Sequence, residues 1–147
     1  CGLLNHPEQL DAVKRDRRLV PQVVQEGLRW GPPATAFPRM ATCDVELHGV
    51  PVKAGATLVL VVGAANRDPA RWDSPDEFDI HRPARMHLAF AQGPHTCLGV
   101  HLATLELETA LATLLERLPE LRLDPDAPPP EVTGGFFRTA LSLPVVF

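Results

Sequence analysis

The segment Phe90-Ala91-Gln92-Gly93-Pro94-His95-Thr96-Cys97-Leu98-Gly99 sets one cysteine between two glycines, immediately ahead of the longest helical pattern in the chain. That pattern runs from about Leu98 to Leu118, where Leu102, Leu105, Leu111, Leu114, Leu115 and Leu118 mark a broad apolar face. Glycine lets backbone approach a flat ligand closely. The unpaired N–H groups and the positive dipole end of a helix start favour an anionic sulfur, the form that binds metal. A single cysteine beside an apolar helix is ordinarily a small buried hydrophobe. The bracketing loop is what turns Cys97 toward ligation.

Bulk properties narrow the alternatives. A chain of 147 residues fits one domain. A net charge of −4 leaves no basic face for nucleic acid. Three widely spaced cysteines, Cys1, Cys43 and Cys97, make neither a disulfide framework nor a paired zinc motif. The longest apolar run, Thr57 to Ala65, is well short of the ~20 residues of a membrane span, and a cytoplasmic protein is expected. Cys1 in place of methionine, followed by Gly2-Leu3-Leu4 like the tail of a helix, leads us to expect a truncated chain.

Six segments follow from the patterns. Residues 1–33 are helical: Asn5, Pro7 and Glu8 resemble a helix start with Leu10 and Val13 buried, and a second helix spans Leu19 to Trp30 with Pro21 in its first turn. Residues 34–64 form a β region: Arg39 to Thr42, Val45 to Leu47, a His48-Gly49 turn, Val50 to Val52, and a buried strand from Leu58 to Val62. Residues 65–89 are an irregular linker, 90–99 the cysteine loop, and 98–118 the long helix. Residues 119–147 end the chain in a β segment containing Phe136, Phe137 and Leu141 to Val146. The class is α+β, mostly helical with a small antiparallel β region.

Glu26 and Arg29 stand three apart on the second helix, within pairing distance. They fall opposite the Val20-Val24 stripe, where such a pair is ordinarily solvated and contributes a few tenths of a kcal/mol.

With Phe90, Gly93, His95, Cys97 and Gly99 in register, the loop resembles the haem-binding loop of the cytochrome P450 family. Glu26-x-x-Arg29 resembles the family's helical motif, and the resemblance implies a buried triad with Arg82 that serves folding and haem retention. It further implies that Cys97 is the axial ligand of the haem iron, with Arg39 and His95 bound to the propionates. Phe136 to Leu141 is expected to give one substrate-facing turn. Two positions depart from the family pattern: Ala91 where many members have glycine, and Thr104 where bacterial members often carry arginine. The family's central Ala/Gly-Gly-x-x-Thr motif has no match.

The implied activity is haem-thiolate monooxygenation of a small hydrophobic substrate, using O₂ and two electrons. The implied cofactor is haem b, with electrons from NAD(P)H through a ferredoxin and ferredoxin-reductase type of partner. The chain itself would supply the proximal half of the haem site and be inactive alone, with self-association or a missing N-terminal half as its partner. Two alternatives stay open: a non-catalytic truncated module that binds haem or protein, and one half of a split enzyme.

Overall fold

Helix α1 spans Pro7–Arg15 and α2 Val20–Trp30, each with proline in its first turn, where no intrahelical amide is needed. The computed structural model describes residues 2–147. Asn5 does not cap α1: it closes a 3₁₀ turn, Leu3–Asn5, and His6 precedes the helix without a side-chain cap. Leu19 likewise closes a 3₁₀ turn, Arg17–Leu19, which Asp16 caps by accepting the Arg18 amide at 3.0 Å.

The buried faces of α1 and α2 meet in one cluster: Leu3, Leu10, Val13, Val20 and Val23 pack with Phe78, Ile80 and Leu115. Phe78 and Ile80 belong to the stretch expected to be an irregular linker, so that stretch supplies core. Gln9 pins it there, donating to the Phe78 carbonyl at 2.8 Å and accepting the Ile80 amide at 3.0 Å.

The β region is two antiparallel ribbons. Strand β1 (Phe37–Met40) pairs with β4 (Thr57–Leu60), placing Arg39 opposite Leu58. Strand β2 (Val45–Leu47) pairs with β3 (Val50–Val52) across His48 and Gly49, both at positive φ as a two-residue hairpin turn of matching twist requires. The expected buried strand from Leu58 to Val62 is corrected. Its strand part is largely exposed, because a two-stranded ribbon has no second layer over it. Val62 is buried, but it opens the short helix α3 (Val62–Ala65).

Helix α4 spans Val100–Arg117, so it begins three residues after Cys97 rather than at Leu98. Its C-terminal turn meets the core: Leu115 is buried, Leu111 is partly so, and Arg17 donates to the Leu115 carbonyl at 2.9 Å. The rest of the leucine stripe does not form core as expected, with Leu102 and Leu105 60% and 62% exposed and Leu114 also exposed. No described element packs over that face.

The C-terminal segment divides into two short pairs, β5 (Arg122–Leu123) with β8 (Val145–Val146) and β6 (Val132–Thr133) with β7 (Thr139–Ala140). Phe136 and Phe137 lie in the turn between β6 and β7, not in a strand. A side chain at Gly134 would overlap the Phe137 carbonyl oxygen, and its φ is positive, so the turn requires glycine. The turn is tied back to the end of α2: Thr35 donates its amide to Phe136 at 2.8 Å and Arg138 to Pro33 at 2.7 Å. No helix among the described residues is long and apolar enough to cross a membrane.

These burials separate two kinds of apolar residue. Ile80→Ala should lower unfolding free energy by about 3 kcal/mol, the usual cost of emptying a packed aliphatic site. Val59→Ala on the exposed ribbon should change it by under about 0.5 kcal/mol. Denaturant titration of the two variants distinguishes them.

Candidate functional site

Arg29, only 1% exposed, makes a hydrogen bond with each of its five N–H groups. Nε donates to Glu26 Oε2 at 2.7 Å, and one Nη donates to Glu26 Oε1 at 2.8 Å and to the Glu77 carbonyl at 2.9 Å. The other Nη donates to the carbonyls of Asn66 at 3.0 Å and Pro75 at 2.8 Å. The Glu26–Arg29 pair is therefore bidentate and buried, not the solvated pair that spacing alone favours.

Arg82 reaches the same carboxylate, Nε to Glu26 Oε1 at 3.3 Å, and its remaining donors hold the carbonyls of Asp73, Ser74 and Glu77. The Asp79 amide adds a bond to Glu26 Oε1 at 2.9 Å. Glu26, Arg29 and Arg82 thus meet at one point, two cations sharing one carboxylate. Trp72, also buried, stacks under Arg29 with its ring centre 5.4 Å from the guanidinium carbon. Two donors in this region, Asn66 Nδ2 and Trp72 Nε1, have no acceptor among the described residues. Each carries a desolvation cost of about 1–3 kcal/mol that the surrounding bonds offset.

Cys97 stands on the other side of α2, exposed, in a cleft of about 650 Å³. Walls come from Leu28 of α2, Phe37 and Arg39 of β1, Phe90 and His95 of the loop, Ala103, Glu106, Leu107 and Ala110 of α4, and Phe137. The lining is chiefly aliphatic and aromatic, with the Arg39 guanidinium, the His95 imidazole and the Glu106 carboxylate as its ionisable groups beside Cys97. Of the sequence-selected residues, Cys97, His95, Arg39 and Phe90 face this one space, whereas Gly93 and Gly99 are not among its walls.

The glycines act on the backbone instead. Gly93 has φ +76°, a left-handed conformation in the turn that leads to Cys97, and the Gly99 Cα–H side lies against sulfur, since a Cβ there would sit 3.8 Å from Cys97 Sγ. Ala91 also has positive φ, +57°. The Cys97 amide donates to the Phe90 carbonyl at 2.9 Å, closing the loop across its base.

Sequence reading passed over several residues here. Asn66, within the stretch expected to be an irregular linker, is buried, and its Oδ1 accepts the Leu88 amide at 2.7 Å. Arg67 holds the Trp30 carbonyl and stacks on the Trp30 ring at 4.8 Å. His87 is half-buried between α2 and the loop, and burial pushes its imidazole below the ordinary range. A buried Asn in a turn-rich stretch gives no periodic signal, which is why these were missed.

Comparison with known proteins decides the affiliation. The family model described as cytochrome P450 matches residues 9–144. The chain belongs to that family. A vitamin D3 dihydroxylase of Streptomyces griseolus is 50% identical over 122 residues, which cover 82% of this chain and 30% of that protein. A steroid C26-monooxygenase of Mycolicibacterium smegmatis is 41% identical over 99% of this chain and 36% of that protein. Among solved structures, P450BioI with an acyl carrier protein bearing hexadec-9Z-enoic acid superposes with a TM-score of 0.92 at 40% identity, over 99% of this chain and 37% of that one. The chain therefore spans about a third of the length of these P450 relatives.

Removing one partner from the buried cluster leaves an uncompensated charge. Arg29→Lys, which cannot reproduce five planar donors, should cost about 3–5 kcal/mol in denaturant titrations. Ala91→Gly should instead stabilise the chain by about 1 kcal/mol, by relieving the left-handed alanine.

Proposed function

We propose that Cys97 is the thiolate ligand of a P450 haem and that this chain supplies the proximal wall of the haem site. The observation that carries the reading is the exposed sulfur inside an apolar cleft that also holds the Arg39 guanidinium and the His95 imidazole. A planar apolar macrocycle with acidic side arms needs that combination. Arg39 fits the role on structural grounds: its recorded hydrogen bond is to the neighbouring Pro38 carbonyl at 2.8 Å, which leaves further guanidinium donors for a propionate. Phe90 and Phe137 offer ring surface to the macrocycle, and Gly93 and Gly99 shape the loop that carries Cys97.

When bound, haem would supply O₂ activation, and the Cys97 thiolate would be the group that holds its iron. The chain's own residues bind and orient the cofactor. Cys97 presents sulfur, His95 and Arg39 take the acidic arms, and the Glu26–Arg29–Arg82 cluster keeps α2 and the linker fixed behind the loop. The activity that follows is monooxygenation of a small hydrophobic substrate, with haem b as cofactor and electrons from NAD(P)H through a ferredoxin-type partner.

The exposed leucines of α4 favour a further element of this reading, that the remainder of a P450 domain covers them. On its own the chain should bind haem weakly and not turn over.

The test is the spectrum of the chain with haem, reductant and carbon monoxide. Wild type and Cys43→Ser should give the thiolate-type ferrous carbonyl band, and Cys97→Ser should lose it. A histidine-like band in the wild type would overturn the ligand assignment. Native-like substrate oxidation by the chain alone would overturn the half-site reading.

A further inference from the structure

Residues 87–89 form a short strap between the buried charge cluster and the Cys97 loop, and two successive amides in it are taken by side chains. Leu88 N–H goes to Asn66 Oδ1 at 2.7 Å and Ala89 N–H to His87 Nδ1 at 3.3 Å. A backbone amide only donates, so Nδ1 must be bare and the proton must sit on Nε2. That nitrogen lies 3.1 Å from Gln25 Oε1, an acceptor on α2 next to Glu26. The His87 ring also stands against the Phe90 ring, centre to centre 6.3 Å. Phe90 in turn accepts the Cys97 amide at 2.9 Å.

We propose that His87, held by Gln25 in its neutral Nε2–H form, is a positioning residue for the thiolate loop. It acts through Ala89 and Phe90 and does not touch the ligand. The inference rests on Cys97 being the ligand in question, but the clamp itself is a property of the polypeptide.

Protonation puts a hydrogen on Nδ1 and ejects the Ala89 amide, so the clamp opens on acidification. The surroundings oppose that charge. From α2 and the turn before it, Arg18, Glu26 and Arg29 face the same cleft as His87; from the linker, Asp79, Arg82 and Arg85 do. Four arginines stand against two carboxylates. Desolvation, the largest effect, lowers the imidazole's affinity for the proton and Arg29 adds to it, while a bond to its own backbone, second in size, and Glu26 work the other way. The sign is therefore fixed: the clamp is complete above the ordinary imidazole value of about 6.5 and is lost as pH falls through the lower folded value. Asn66 holds the neighbouring amide by a group that does not titrate, so its contribution is constant.

The experiment uses ¹⁵N-labelled protein with and without haem, in the diamagnetic ferrous carbonyl state when haem is present. Side-chain nitrogen spectra should show His87 with bare Nδ1 near neutral pH; an Nδ1–H tautomer would overturn the proposal. Amide exchange at Ala89 and Cys97, corrected for intrinsic chemistry, should rise roughly tenfold in the wild type as acidification protonates His87, the protonation being followed by the same side-chain nitrogen shifts. His87→Asn keeps an acceptor near the Nδ1 position and should retain slow exchange with no acid response. His87→Ala should exchange fast before and after acidification. A His87→Asn protein that responds to acid like the wild type would overturn the clamp, and the wild-type tautomer decides the matter even where a variant fails to fold. The carbonyl band of the wild type before acidification reports Cys97 ligation separately, so failure of that band and failure of the clamp are distinct results.

Discussion

A guanidinium with every N–H bond occupied, buried to 1% exposure, sets the geometry on which the rest of this chain depends. Arg29 binds one carboxylate in bidentate fashion and three carbonyls, from Asn66, Pro75 and Glu77, which lie in a stretch without ladder or long helix. Such a stretch has no repeating hydrogen-bond pattern to define its shape. The ion defines it instead, with Arg82 holding Asp73, Ser74 and Glu77 from the other side. Sharing Glu26 between two arginines leaves the cluster with net positive charge, and Trp72 beneath Arg29 offers a π face to part of it.

The same ion reaches the cysteine by a short path. Arg29 fixes the Asn66 carbonyl, Asn66 Oδ1 fixes Leu88, and two residues later Phe90 accepts the Cys97 amide. Each link is a directional bond to backbone, so the path transmits position and not merely proximity. The opposite wall of the cleft has a different origin. There the C-terminal turn is laced to Pro33 and Thr35, and α4 is held mainly through the core around Leu115.

What could be read in the sequence was chemistry with short spacing. Cys97 ahead of a long leucine-rich pattern and the three-residue step from Glu26 to Arg29 are local, and the structure keeps both intact as geometry. The His48-Gly49 turn was legible for the same reason. Burial was legible only in part. Leu58 to Val62 and the leucines of α4 signal a surface that avoids water, but composition cannot say whether an element of the same chain covers it. Asn66, Gln9 and His87 escaped for the converse reason: each is one polar residue whose partner lies 22 or more positions away or on a neighbouring amide, and neither leaves a period.

Strain in the cysteine loop is small beside the cluster that frames it. Ala91 sits at φ +57° and Gly93 at +76°, and the left-handed form costs the alanine about 1–2 kcal/mol where it costs glycine almost nothing. Breaking the buried ion cluster would cost about 3–5 kcal/mol. The inequality decides which yields: the backbone around Ala91 takes the conformation that Leu88 and Ala89, already anchored, leave open to it. Alanine is tolerated there because its surroundings are fixed by something stronger, and a residue chosen only for its own backbone preference would have been glycine.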